Sequence, residues 1–229
     1  MKAAAIPAGA VRALCVVALC ALLQACFGNA RWDHTPRDVH IVRVCNTLYT
    51  IAFRYGRDYR DLARWNRLGD GSLIYPGQAI RLTPPARGAT PPRQSAPVAA
   101  PPRPAPPPAW SWPTPGAVAA GFDEAPGNGA GILIRGDRGQ AIRAAADGRV
   151  VYSGGGLIGY EQLIIIKHND TYLSAYGHNA SLLVKEGEAV KKGQRIATMG
   201  EGPGRLPGLH FEIRRNGKPV DPRQYLPAR

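Results

Sequence analysis

Between residues 84 and 115 stand 13 of the chain's 22 prolines, interleaved with Ala, Arg and Ser and with few apolar side chains. Each proline fixes φ and removes a backbone donor, so such a stretch builds neither a long helix nor a central strand. The segment predicts a disordered or extended, semi-rigid spacer. It divides the 229 residues into a small folded region, about 39–83, and a larger one, 116–229. Any core must be built twice.

Ahead of both regions, Lys2 and Arg12 precede an apolar run from Ala13 to Leu23. Eleven residues are too few to span a bilayer as a helix, which needs about 20. A positive start, a short apolar run and a small residue at its end predict a secretory leader over residues 1–25. The sequence Leu23-Gln24-Ala25-Cys26 resembles a bacterial lipobox, which implies cleavage before Cys26 and lipidation of that residue. Phe27 follows in place of the aspartate that resembles an inner-membrane retention signal. The expectation is a lipid anchor on the periplasmic face of a Gram-negative outer membrane, several acyl chains holding it there. A plain leader or a weak membrane anchor would also export the chain. Cys15 and Cys20 leave with the leader, so Cys45 is the one remaining thiol and no disulfide framework is expected. A small buried or half-buried place is expected for it.

The 29 Lys and Arg residues against 16 Asp and Glu give a formal charge of +13. That balance suits polyanionic partners. Zinc-finger spacing, an aromatic RNA-binding motif and Lys-rich runs are all missing, which disfavours nucleic acid.

In the small region, Val39-His40-Ile41-Val42-Arg43-Val44 alternates as a strand does. Asn46 or Thr47 can cap a helix with apolar residues at Leu48, Ile51, Ala52 and Tyr55. Gly56 ends it, and Asp58 with Asp61 reads as a capping box for a second helix carrying Leu62 and Trp65. "IYPGQAIRL" (Ile74 to Leu82) reads as a turn and a closing strand. His34 and His40 flank this region as solvated residues. The β-α-α-β order with "CNTLYTIAFRYG" and "IYPGQAIRL" resembles the LysM module, which implies binding of N-acetylglucosamine-containing glycans such as peptidoglycan. Cys45-Asn46 departs from the Gly-Asp that the family usually carries. The resemblance implies a sugar groove between Asn46, Thr47 and Leu48 on one side and Gly71, Leu73, Ile74, Tyr75 and Pro76 on the other. Thr47 also reads as a plain cap, and Tyr75-Pro76 as a plain turn.

The larger region is nearly all strand and turn. Val150–Tyr152, Leu163–Ile166, Tyr172–Tyr176 and Leu209–Ile213 are β-rich; Asp147-Gly148, His168-Asn169-Asp170, Lys192-Gly193 and Asn216-Gly217 punctuate them. A compact β-sandwich or barrel follows, making the chain a multidomain one with a small α+β module and a mainly-β domain. His168 reads as a hairpin-turn residue.

"GILIRGDRGQAIRAAADGRVVYSGG", "GYEQLIIIKHNDTYLSAYGHN", "VKKGQRIATMG" and "LHFEIRRNGKPVDPRQYLP" together resemble the LytM, or lysostaphin-type, zinc peptidase domain. The resemblance implies a zinc-binding His-x-x-x-Asp on the "GI" strand, a histidine after a tyrosine, and a closing His-x-His. Gly129 stands in place of the first histidine and Leu133 in place of the aspartate. His178 survives in Tyr176-Gly177-His178; Gly208 replaces the first member of His-x-His, and His210 survives as the second. A catalytic zinc needs about three protein ligands and an open position for water. Glycine has no side chain and leucine no lone pair. No metal or other cofactor is therefore expected, and Gly129, Leu133, His178, Gly208 and His210 are relic positions.

Leader, LysM-like module, spacer and degenerate LytM-like domain occur in the order that resembles NlpD-type lipoproteins of Gram-negative bacteria. That resemblance implies a non-catalytic activator of an N-acetylmuramoyl-L-alanine amidase in septal peptidoglycan cleavage and daughter-cell separation. It implies docking of the amidase in a groove flanked by Gly129, Leu133, Tyr160, Tyr176, His178, Arg205, His210 and Glu212. An active zinc-dependent endopeptidase and a passive wall-binding anchor are the two alternatives.

Overall fold

The computed structural model describes residues 38–69, 73–85, 105–124, 130–155, 157 and 159–228. The chain divides into two units, Met1–Arg37 and Asp38–Arg229. The first lies outside the described residues, and the leader, Cys26 and His34 lie there with it. Residues 86–104 of the spacer, Gly71 and Gly129 are likewise outside.

The small module runs β1 (Val39–Ile41), α1 (Leu48–Arg54), α2 (Tyr59–Asn66) and β2 (Ala79–Arg81). β1 and β2 pair antiparallel with His40 opposite Ile80. Of the two candidate caps, Thr47 starts α1: its hydroxyl accepts from the Thr50 amide at 3.1 Å, while the Thr50 hydroxyl accepts from the Thr47 amide at 2.9 Å. This reciprocal box satisfies two donors that a helix start otherwise leaves unpaired. Asp58 caps α2 through the Arg60 amide, and Asp61 pairs with Arg64 at 2.7 Å instead of closing the expected box. Val42, Leu48, Ile51, Ala52, Leu62, Ile80 and Leu82 form the core, with Leu48, Ile51 and Ala52 at the expected helical spacing, whereas Tyr55, expected on the same face, is exposed with its hydroxyl on His40.

Two further expectations, on Cys45 and His40, fail. Cys45 is exposed, not buried, and sits at φ 65° in the turn before α1, a conformation that glycine adopts without steric cost. His40 is buried, not solvated. One ring nitrogen meets the Asn46 amide oxygen at 2.9 Å and the other the Tyr55 hydroxyl at 3.1 Å. Burial without those partners would cost more than the ring's apolar contacts return.

The larger domain is built from β3 (Val118–Ala120), β4 (Ile132–Arg135), β5 (Ala141–Arg143), β6 (Gly148–Gly154), β7 (Gln162–Lys167), β8 (Tyr172–Leu182), β9 (Ala189–Val190), β10 (Arg195–Met199), β11 (Gly208–Arg215) and β12 (Lys218–Val220). The strand order is β3-β4-β11-β8-β7-β6-β9, with β10 joining β5 to β8 and β12 on β11. Every pairing is antiparallel. Ile132, Ile134, Ile164, Ile166, Tyr176, Leu209, Phe211 and Ile213 point to one buried face. Residues 105–115, at the end of the proline-rich segment, run along this domain. Trp110 is buried in its core, the Ser111 amide donates to the Ala145 carbonyl at 2.8 Å, and Trp112 Nε1 donates to the Pro227 carbonyl at 2.8 Å. The packed domain thus begins ahead of residue 116.

His168 does lie in the β7–β8 turn, but its ring is tucked inward. Its nitrogens meet the Asp147 carbonyl and the Ser174 hydroxyl, both at 2.7 Å, and Trp110 packs edge-on against it. Burial pulls its pKa down to about 4.

The two modules touch. Phe53, on the face of α1 away from the small core, joins Val151, Tyr152, Leu157, Leu163, Ile165 and Ala175 on the outer face of the β-domain sheet. Lys167 Nζ donates to the Tyr59 hydroxyl at 2.8 Å.

Candidate functional site

Strand alternation on β11 sends Leu209, Phe211 and Ile213 into the core and His210, Glu212 and Arg214 to the opposite face. That second face is also buried: Glu212 is fully covered, and His210 and Arg214 are each 2% exposed. Desolvating a carboxylate and a guanidinium costs several kcal/mol each unless both are paired and hydrogen-bonded. Here they are. Glu212 Oε1 accepts from Tyr160 Oη at 2.7 Å and from His210 Nε2 at 2.9 Å, and Oε2 accepts from Arg214 Nε at 2.8 Å. Arg214 Nη1 continues to the Phe53 carbonyl at 2.5 Å, with the guanidinium 3.4 Å from the centre of the Phe53 ring. Burial alone would raise the Glu212 carboxyl, but the Arg214 charge and the His210 hydrogen bond outweigh it and hold its pKa at about 2.

β8 supplies the neighbour. His178 follows Gly177, which sits opposite His210, and it takes a left-handed conformation at φ 61°. Its Nδ1 meets Glu161 Oε2 at 2.5 Å, and its ring stands edge-on to His210 with centroids 5.9 Å apart. The two surviving histidines are therefore brought together, but each already has a carboxylate partner.

Leu133 lies opposite His210 across the β4–β11 pairing and is buried. A Cβ built on Gly208 would fall 3.1 Å from Leu133 Cδ1. The leucine fills the place toward which a side chain at 208 would grow. A zinc ion does not fit this donor set. The position for which the resemblance implies an aspartate presents methyl groups, and among the described residues no three His, Cys, Asp or Glu side chains stand close enough to share a metal ion.

Several expected site residues fall elsewhere. Tyr176 does not line the groove; it points into the core, fully buried, where its hydroxyl accepts from the Ala145 amide at 2.8 Å and meets Ser174. Burial pushes its hydroxyl up to about 12. Its odd-even place on β8 is the inward one. Glu212 lines the relic site but is sealed beneath Tyr160 and Arg214, so it offers no docking surface. Arg205 is exposed beside Leu206, in the loop whose Gly202 lies against the His178 ring. In the small module Leu48 is buried at 2% and cannot reach a sugar, whereas Leu73 and Tyr75 are 63% and 60% exposed. Ile74 packs against the small core. The Gly77 amide bonds to the Val42 carbonyl, which holds the Leu73–Pro76 loop beside the turn carrying Asn46 and Thr47.

Two participants escaped sequence reasoning. Arg214 continues the period-two pattern of His210 and Glu212, a signal that could have found it. Glu161 carries no such signal, since only the fold sets it against His178.

The small module matches the LysM domain over residues 40–83, and the β-domain matches Peptidase family M23 over residues 127–222. Fold and family matches together define a class: a LysM module joined to a peptidase-type β-domain. The chain is 43% identical to the lipoprotein NlpD/LppB homolog of Pseudomonas aeruginosa, over 83% of this chain and 77% of that relative. It belongs to the NlpD/LppB lipoprotein family. It is also 40% identical to outer membrane antigenic lipoprotein B of Histophilus somni, over 80% of this chain and 65% of that relative. With the murein hydrolase activator NlpD of Escherichia coli it shares 58% identity over 52% of this chain, and it spans 32% of that relative's length.

Proposed function

We propose that this chain is a non-catalytic lipoprotein of the cell envelope that binds peptidoglycan and activates an N-acetylmuramoyl-L-alanine amidase during septal wall cleavage. One observation carries the reading: Leu133 is packed into the relic site against Gly208 and His210 while the core on the other side of the same strands is intact. A zinc hydrolase needs the activated water and Lewis acid that the metal provides, and among the described residues no three ligand-type side chains stand close enough to hold one, which supports the reading. The activator name of a relative that is 58% identical over 52% of this chain supports the same reading.

The mechanism then is binding. An activator acts by favouring the active conformation of its partner, through higher affinity for that conformation than for the resting one. The accessible part of the relic groove is its rim, where Arg205, Leu206 and Glu161 face solvent. That rim is the proposed amidase-docking surface. Leu73 and Tyr75, with Asn46, Thr47, Ile74 and Pro76 around them, are the proposed glycan contacts. Lipid at Cys26 and the proline-rich segment would tether the pair near the outer membrane and raise the local concentration of amidase at its substrate.

The test uses the delipidated mature protein and labelled peptidoglycan, alone and with an amidase, with and without a chelator. The expected result is no release of label by the protein alone and increased release by the amidase in its presence. Release by the protein alone, abolished by chelator, would establish the endopeptidase instead. Wall binding without any stimulation would leave the passive anchor.

A further inference from the structure

The contact between α1 and the β-domain has no role in either proposed binding event, yet it is built with care. Phe53 contributes nothing to the small module's own core; it lies on Val151, Leu163, Ile165 and Ala175 of the sheet. Arg214 is held between the two modules, with one nitrogen on the Glu212 carboxylate and another on the Phe53 carbonyl. The network thus runs unbroken from the relic site, through His210, Glu212 and Arg214, into the backbone of α1. Tyr160, which covers Glu212, also stands edge-on to Phe53 with centroids 5.4 Å apart.

The same docking covers the turn at Asn46 from the α1 side. His40, Cys45, Asn46, Thr50 and Arg54 border a narrow cleft whose other wall is Tyr152 and Leu157 of the β-domain. The cleft does not admit even a water molecule at its centre. A pyranose ring at Asn46 on that side has no space while the modules are docked. The far end, at Leu73 and Tyr75, stays open.

We propose that the α1–sheet contact is a latch that a glycan strand opens: N-acetylglucosamine oligomers and the β-domain compete for the turn at Asn46, so that engaging the wall undocks the small module and uncovers the sheet face beside the relic site. The inference rests on the glycan-binding reading of the small module. A ligand that binds only the undocked form pays for undocking, and its apparent affinity falls by the fraction undocked. Reciprocally, each bound glycan shifts the chain toward the open form.

Two substitutions separate the latch from local damage. Phe53→Asp removes the apolar knob without touching the small core. Val151→Lys charges the opposing surface on the β-domain, outside the small module that carries the sugar-binding loops. The full chain in detergent is titrated with chitopentaose, and its dimensions are followed by small-angle scattering. The expected result is expansion of the wild type on sugar binding, with both variants expanded from the start and binding the sugar about tenfold more tightly, as a docking equilibrium of about 10:1 would impose. Equal sugar affinity in all three chains, or sugar binding without expansion, would overturn the latch and leave the glycan reading standing. Failure of all three chains to bind chitopentaose would overturn both.

Discussion

The two faces of β11 have been kept for different reasons. Its inward residues, Leu209, Phe211 and Ile213, are fully buried hydrocarbons in the main core. Its outward residues, His210, Glu212 and Arg214, are equally buried but polar, and each is satisfied by a named partner. The inward face answers to packing density, which tolerates little change. The outward face answers to donor and acceptor counts, which can be met by many arrangements. This is how a strand can keep its fold and change its chemistry.

Substitution on the inward side tests the first half of that contrast. Phe211→Ala opens a cavity beside Tyr176, whose ring centroid lies 5.3 Å away. The expected loss is about 3–5 kcal/mol, read from the denaturant midpoint. A loss below about 1 kcal/mol would mean that the inner face does not anchor the domain.

On the outward side, Glu212→Gln keeps the shape and removes the charge that Arg214 and His210 share. The expected cost at neutral pH is about 3 kcal/mol, because a buried guanidinium is left without its counter-charge. The pH dependence sharpens this. The folded pKa of Glu212 is lowered from 4.5 to about 2, so its contribution is present above the ordinary carboxylate range and fades as pH falls from about 4.5 towards 2. The stability gap between wild type and variant should close across that window; a gap that stays constant would show that the carboxylate charge is not what matters.

The same contrast explains what could be read from sequence. Period-two and period-3.6 patterns located β6, β7, β8, β11 and both helices, since one-sided burial writes itself into hydrophobic spacing. Alternation along β8 also held the answer for Tyr176, which shares the inward face with Ser174. Pairings set by the fold alone left no such trace. Glu161 and His178 are 17 residues apart and joined by no motif, and Phe53 meets Arg214 across 161 positions. Trp110 and Trp112 were hidden by their setting, two large aromatic residues inside a segment whose prolines read as a spacer. Apolar bulk in such a stretch marks where packing resumes.

His168 offers a smaller effect on the packed side of the same sheet. Burial lowers its folded pKa from 6.5 to about 4, so the neutral ring contributes stability that is present above about 6.5 and lost as pH falls from 6.5 to 4. His168→Gln should flatten the stability profile in that window while leaving the lower window of Glu212 unchanged. If the profile between pH 6.5 and 4 is the same in both chains, the inward ring is not titrating as its surroundings require.

The smallest expected effect is the most direct test of how the relic site became fixed. Gly208→His alone should cost about 1–3 kcal/mol, because the new Cβ falls 3.1 Å from Leu133 Cδ1 and the imidazole beyond it must displace that side chain. Leu133→Ala alone leaves a void where a buried leucine stood, a loss of about 2–5 kcal/mol. The two positions share one space, so the double variant should be more stable than the sum of the singles predicts, by about 0.5–1 kcal/mol. Strict additivity in a double-mutant cycle would separate the two positions and break the account. With the coupling present, loss at one position makes return at the other costly, because leucine has taken the volume that a restored histidine would need. A histidine at 208 then requires a change at 133 as well, so the packing on the outward face of β11 constrains substitution as the core on its inward face does.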